Sequence, residues 1–220
     1  MTRCDIYHGD CREIAPTLDY TAVISDPPYG MAWNTDTTRF SGGSQGNRRP
    51  GDGVAGRGAV AGDHEPFDPS PWLDRDRVVL FGSNHFASRL PTGTMLVWIK
   101  RNEAAYGTFL SDAELAWMKG GRGVYCRRDL SLEAMKLRGG RSHPTQKPVG
   151  LMRWCIEQAR VTPDDVVLDP YMGSGTTAIA CLDLGVPFVG IGIDREHFET
   201  AQRRIAEHQV QSDLFAGSAT

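Results

Sequence analysis

A doubly wound α/β sheet is predicted by three features of the 220-residue chain. The first is a unit of strand, glycine-rich turn, helix and strand between Asp165 and Asp194, followed by a further helix. The second is a set of short, near-continuous apolar runs, which suit strands covered on both faces better than strict alternation would. The third is that two of these runs stop at a carboxylate, Asp26 and Asp169, each followed by proline. Open α/β sheets bind ligands outside the carboxyl ends of their strands, so these two ends mark the candidate site.

Each element has its own local reason. Residues 22–25 form an apolar run halted by Asp26-Pro27-Pro28, because neither proline can donate to a strand ladder. Residues 77–82 and 94–99 are two more apolar strands. Residues 148–160 carry Val149, Met152, Ile156 and Ala159 at helical spacing, with Pro148 near the start, where its missing N–H costs nothing. A strand over 165–169 runs into the turn 170–177, and a helix of small residues begins at Ala178 and ends at Gly185. Residues 187–194 are the next strand, and 196–208 the last helix.

Composition sets the limits of function. With 40% hydrophobic and 23% charged residues, 1–208 reads as one globular domain, followed by a polar tail at 209–220 expected to fray. No apolar run reaches the length of a membrane span, and the first residues lack a signal-like apolar stretch. Five cysteines, scattered at 4, 11, 126, 155 and 181, form no Cys-x-x-Cys pair. That argues against a disulfide framework or a zinc ribbon and for free thiols in a reducing cytoplasm. The histidines show no ligand-like spacing, so no metal site is expected.

The net charge of −3 excludes a uniformly basic nucleic-acid binder, yet the charge is unevenly placed. Residues 37–62 sum to +3 and 119–142 to +5, leaving the rest at −11. Two basic segments on an acidic body could hold a polyanion in one place; two ordinary solvated loops are the plainer reading. The first segment lies in a Gly/Arg-rich stretch, 31–66, with too little apolar surface to offset its backbone entropy, so a mobile loop is expected there.

Gly173-Ser174-Gly175 lets the backbone pass close to a ligand, at the start of a helix with free N–H groups. Asp194, ending the next strand, stands where a carboxylate accepts ribose hydroxyls. A phosphate-binding P-loop would need Lys before Thr176, and Gly175 stands there instead. A dinucleotide turn would want a third glycine where Ala178 stands, and Asp169 would repel a pyrophosphate. An amine-bearing cation such as S-adenosylmethionine suits that carboxylate better; a turn that binds nothing stays open.

Asp26-Pro27-Pro28-Tyr29-Gly30 is the most informative segment. Two prolines stiffen the backbone, so the Asp26 carboxylate and the Pro27 carbonyl can stand side by side as acceptors for an exocyclic amino group. Tyr29 offers a face on which a planar base can stack. A plain strand-ending turn is the alternative.

Asp26-Pro27-Pro28-Tyr29, followed far downstream by Leu168-Asp169-Pro170-Tyr171-Met172-Gly173-Ser174-Gly175-Thr176-Thr177, resembles the permuted (β) group of amino-DNA methyltransferases, which modify adenine N6 or cytosine N4. His143-Pro144-Thr145-Gln146-Lys147-Pro148 is similar to the family segment that helps line the cofactor pocket, and Gly9-Asp10-Cys11 to the element that meets the cofactor's adenine. Ser111-Asp112-Ala113-Glu114 before Trp117 is similar to a family segment beside the target base. The resemblance covers residues 9 to 205; Asp194 departs from it, since Glu is more usual there.

The resemblance implies a Rossmann-like, S-adenosylmethionine-dependent fold. It assigns catalysis to Asp26, Pro27, Pro28 and Tyr29. Cofactor binding is assigned to Asp10, Cys11, Asp26, His143, Thr145, Lys147, Asp169, Pro170, Tyr171, Gly173, Ser174, Gly175, Thr176, Thr177 and Asp194. It implies methylation of adenine N6 in DNA, with the base flipped from the duplex and 118–142 as a short basic recognition insert. Cytosine N4 is the nearest alternative, then RNA as substrate or a non-catalytic cofactor binder. The implied setting is the cytoplasm of a bacterium or phage-infected host, with a second copy of the chain and a cognate restriction nuclease as candidate partners.

Overall fold

The computed structural model describes residues 2–31, 62–107, 111–131 and 146–217. Seven strands form one sheet: β1 Cys4–His8, β2 Ala22–Ser25, β3 Arg77–Phe81, β4 Gly93–Ile99, β5 Ala113–Arg128, β6 Val167–Asp169 and β7 Phe188–Gly192. The spatial order is β1-β7-β6-β2-β3-β5-β4. The strands β1, β7, β6, β2 and β3 all run parallel, so their carboxyl ends share one edge. β2 lies beside β6, which places the two carboxylate-ended strands together where the winding direction changes.

The helices are α1 Cys11–Ile14, α2 Val149–Gln158, α3 Thr176–Asp183 and α4 Arg195–Gly217. Short 3₁₀ turns fill several connections, one of them at Ser83–His85 after β3.

The core confirms the sheet with two covered faces. Ile24, Val79, Phe81 and Phe188 bury on one side with Leu151, Met152 and Ile156 of α2. Their strand neighbours Val23, Val78, Leu80 and Val189 bury on the other with Phe67, Trp72 and Phe86. Successive strand residues point to opposite faces, so a strand buried on both must be apolar at every position.

Several expectations shift. Helix α2 buries Leu151, Met152, Cys155 and Ile156, while Val149 only half-packs and Ala159 becomes the C-cap. α3 starts two residues earlier than expected, at Thr176, because Gly175 adopts the left-handed conformation (φ +79°) and serves as its N-cap. The tail expected to fray from residue 209 instead continues α4 to Gly217. Most of loop 31–66 lies outside the described residues.

Strand β5 departs most from the sequence reading. Met95 of β4 faces Trp117 on one side and Val124 on the other, and Ile99 faces Ala113 and Arg128. β5 therefore doubles back around β4, reversing at Gly120 and Gly121, both at positive φ. Its first half lies between β3 and β4, with Phe81 opposite Ala116. Residues 118–128 of the expected recognition insert are thus strand.

Candidate functional site

The two sequence motifs meet through one buried hydrogen bond. Ser25 Oγ, the last residue of β2, donates to Asp169 Oδ1, at the end of β6, at 2.5 Å. Asp169 Oδ2 accepts from Thr177 Oγ1 at 2.6 Å, and Oδ1 also accepts from the Tyr171 backbone N–H at 3.1 Å. Asp169 is only 2% exposed. Against the expectation that it suits a cationic ligand, both oxygens accept hydrogen bonds from the chain itself and organise the glycine turn. Burial pushes its pKa up to about 6, only partly offset by the Ser25, Thr177 and Tyr171 donors.

The turn itself is open on its outer side. Gly173 has φ +53°, and a Cβ there would find nothing nearer than the Tyr171 carbonyl oxygen at 3.9 Å. Gly175 is packed from behind, where a Cβ would come within 3.1 Å of Ala201 on α4. From the same helix Arg204 donates to the Ser174 carbonyl and, at 3.0 Å, to Ser174 Oγ. Pro170 and Thr176 are buried beneath this turn. A ligand can thus approach the backbone from one side while α4 holds it from the other.

Flanking strand ends supply further groups. Asp194, after β7, accepts from the His197 backbone N–H at 2.8 Å, which caps α4, and half its side-chain surface is exposed (51%). Asp10, after β1, caps α1 by accepting from the Arg12 N–H, and the Arg12 side chain holds its carboxyl below the usual range. Cys11 is buried beside the Tyr171 hydroxyl. Tyr171 in turn meets Phe67 and Trp72 edge-on.

On the β2 side, Asp26 Oδ1 accepts from the Tyr29 hydroxyl at 2.6 Å, and Oδ2 from Lys147 Nζ at 2.6 Å. Burial, with Asp26 alongside, raises the Tyr29 hydroxyl pKa well above its ordinary value. The Tyr29 ring stacks on His85, with centroids 5.0 Å apart and planes 12° apart, so one face is already covered. Gly82 (φ +71°) lies against the same ring, which leaves no room for a Cβ. Past the prolines, Asp63 Oδ1 accepts from the Gly30 and Met31 N–H groups at 2.8 and 3.2 Å and fixes the chain's exit.

Lys147, expected on the cofactor pocket, forms an ion pair with Asp26, which the same expectation places there. His143 and Thr145 lie outside the described residues. Sequence reasoning missed Ser25, His85, Lys100 and Arg204, single residues without a motif to signal them. The basic insert is also partly committed to structure. Lys119 Nζ donates to the Leu73 and Arg75 carbonyls, Arg127 lies 3.9 Å from Asp129, and Arg128 bonds Glu103 and the Tyr106 hydroxyl.

Known methylases resemble the chain in sequence over part of its length and in fold over most of it. The chain is 38% identical over 84 residues to YubD of Escherichia coli (strain K12), which carries the name of a methylase. It is 45% identical over 65 residues to the type II methyltransferase M2.MboI of Moraxella bovis. These matches cover 38% and 30% of this chain, and only 36% and 23% of the relatives' own lengths.

The fold is similar to that of M1.HpyAVI in its S-adenosylmethionine complex, with TM-score 0.57 and 24% identity over 91% of this chain and 99% of that one. It is also similar to the cytosine-N4-specific PvuII DNA methyltransferase, with TM-score 0.55 and 14% identity over 94% and 92% of the two chains. Residues 71–203, more than half of the sequence, match the N6/N4 DNA methylase family, and the chain belongs to that family.

Proposed function

We propose that this chain transfers a methyl group from S-adenosylmethionine to an exocyclic amino nitrogen of a base in DNA, with adenine N6 as the target. The observation that carries the reading is the juxtaposition of Asp26 with the open glycine turn, tied together through Ser25 and Asp169.

The residues fit the cofactor. A half-exposed carboxylate, Asp194, two residues past β7, would serve as acceptor for two ribose hydroxyls, and the outer side of Gly173 admits a ligand to the backbone. The buried Asp169 supports the turn from within. When bound, the cofactor supplies a methyl group on a sulfonium, already electrophilic, so the protein's task is positioning and charge stabilisation.

Asp26 performs the central step on the protein's side. The lone pair of an aromatic amine is delocalised into its ring, and accepting the amino hydrogens at Asp26 and the Pro27 carbonyl favours the pyramidal nitrogen. Each Asp26 oxygen already accepts one hydrogen bond, and each retains a second lone pair for the incoming amine. With S-adenosylmethionine held by the glycine turn and Asp194, the cofactor would supply the methyl group and keep the C–S electron pair. The chain's own task is to hold the amino nitrogen's lone pair toward it. The surplus proton then passes from nitrogen to Asp26 and on to solvent. The Tyr29 face away from His85 is where the flipped base would stack, contributing about 1–3 kcal/mol against the cost of leaving the duplex.

Adenine is preferred over cytosine N4 because Asp, and not Ser, precedes the prolines, a tendency of the family the chain resembles. Nucleoside mass spectrometry of DNA incubated with the protein and S-adenosylmethionine tests both levels. N6-methyladenine is the expected product. N4-methylcytosine alone would replace the adenine assignment, and no methylated nucleoside would overturn the activity.

A further inference from the structure

Behind Asp26 runs a part-buried chain of alternating charge, with Lys147 its most buried member. Lys147 Nζ lies 2.6 Å from Asp26 Oδ2, 3.0 Å from Glu114 Oε2 and 3.5 Å from the Tyr29 hydroxyl oxygen. Glu114 Oε1 accepts from Lys100 Nζ at 2.7 Å. The chain thus reads carboxylate, ammonium, carboxylate, ammonium, drawn from the end of β2, the segment before α2, β5 and the residue after β4. Its members differ in exposure: 25% of the Asp26 side chain is exposed but only 8% of Lys147.

Two features separate Lys147 from an ordinary ligand-binding lysine. Its ammonium lies 5.2 Å from the Phe81 ring centroid and 6.0 Å from that of Trp98, so two core aromatics flank it. Two of its donors go to Asp26 Oδ2 and the Tyr29 hydroxyl oxygen, and Glu114 Oε2 lies 3.0 Å away as an ion pair that lacks hydrogen-bond geometry. Burial opposes the charge, but Asp26, Tyr29 and Glu114 outweigh it, and the pKa of Lys147 stands well above its ordinary value. Lys147 is therefore a fixed cation and no proton acceptor. Burial likewise opposes ionisation of Glu114, and the Lys147 and Lys100 charges more than offset it.

We propose that Lys147 is a positioning residue for Asp26, itself held by Glu114, and that it is not a ligand of the cofactor. The proposal rests on the reading of Asp26 as acceptor for the target amine. With Oδ2 pinned by Lys147 and Oδ1 by the Tyr29 hydroxyl, the carboxylate plane has one orientation. Only the remaining lone pairs face the amine. Glu114 balances the ammonium, so that Asp26 keeps acceptor strength without the site gaining net charge.

The test compares single-turnover methyl transfer at saturating S-adenosylmethionine with cofactor affinity by calorimetry. It uses full-length wild type, Lys147→Met, Lys147→Arg, Glu114→Gln and the double variant Lys147→Met/Glu114→Gln. Lys147→Met is expected to lose about 100-fold in transfer rate, the scale of a misplaced reacting group, with cofactor affinity changed less than about threefold. Lys147→Arg should recover part of the rate, since the charge is kept with altered geometry. Glu114→Gln should lose about 10-fold, and the double variant should be no slower than Lys147→Met, as expected of residues acting as one unit. Should Lys147→Met fail to fold, Glu114→Gln and Lys147→Arg carry the same comparison.

A loss of cofactor affinity in these variants, with the saturated rate unchanged, would overturn the proposal and return Lys147 to the cofactor pocket. Strictly additive effects in the double variant would overturn the role of Glu114. A wild-type protein that binds S-adenosylmethionine yet methylates no DNA would overturn the underlying reading, which the variants alone could not do.

Discussion

At the scale of single residues, the proposed site divides into carboxylates open to solvent and buried groups that hold them still. Asp26 and Asp194 are partly or half exposed, whereas Asp169 and Lys147 are buried beneath them. Asp26→Ala should abolish methyl transfer with cofactor affinity intact, while Asp194→Ala should weaken cofactor binding first; calorimetry paired with transfer assays separates the two. Asp169 carries a pH signature. Its folded pKa, about 6, is raised above the ordinary 3.8, so its contribution to stability is full below pH 4 and lost as pH rises through 6. Ionised at neutral pH, it costs about 3 kcal/mol. Asp169→Asn should therefore gain stability relative to wild type between pH 4.5 and 7.5, and urea unfolding at both ends checks it. The carboxylates were legible in the sequence because prolines and glycines punctuate them. Their partners were not: Ser25 meets Asp169 across 144 positions, and no local pattern records a contact that only the pairing of β2 with β6 creates.

At the scale of elements, legibility followed apolarity. β2, β3, β4 and β7 are continuous apolar runs and were readable as such. β1 is a polar-mixed edge strand paired only with β7 among the described residues, and β5 is broken by charges and by Gly120, Gly121 and Gly123, so neither announced itself. The turn after β3 shows how one element serves another: Gly82 and His85 together form the seat of the Tyr29 ring. Gly82→Ala would strain a left-handed residue and drive a methyl group into that ring. A stability loss of about 1–3 kcal/mol is expected from such overpacking. Tyr29 and the Asp26 carboxylate it bonds should shift with it, lowering the transfer rate more than cofactor affinity. Denaturant melts and single-turnover rates would read the two effects separately.

At the scale of the whole molecule, the proposed activity raises the matter of how much sequence the chain could read on DNA. Phosphate contacts position a protein without informing it, and reading several bases takes a helix or ribbon carrying bidentate side chains. Residues 118–128 of the basic insert are spent on the sheet, and Lys119, Arg127 and Arg128 already have partners in the chain. We therefore expect a short or degenerate target of one or two bases around the methylated adenine, and affinity that falls steeply with salt. Long-read mapping of methylated positions would contradict this with a single sharp motif of five or more defined bases. If a second copy of the chain supplies extra contacts, such a motif should vanish when the protein is held monomeric. The doubling of β5 around β4 has a further consequence, in the order in which the native sheet comes apart. Within the inner half, 116–118 are paired on both sides, by β3 and β4, and the outer half, 124–128, by β4 alone among the described residues. Local opening can peel the outer half without disturbing its neighbours, whereas freeing the inner half splits the sheet. Amide hydrogens of 124–128 should thus exchange with deuterium through small, denaturant-insensitive fluctuations. Those of 116–118 should exchange only through global unfolding, so one sixteen-residue strand carries both the most labile and the most protected amides of this sheet edge.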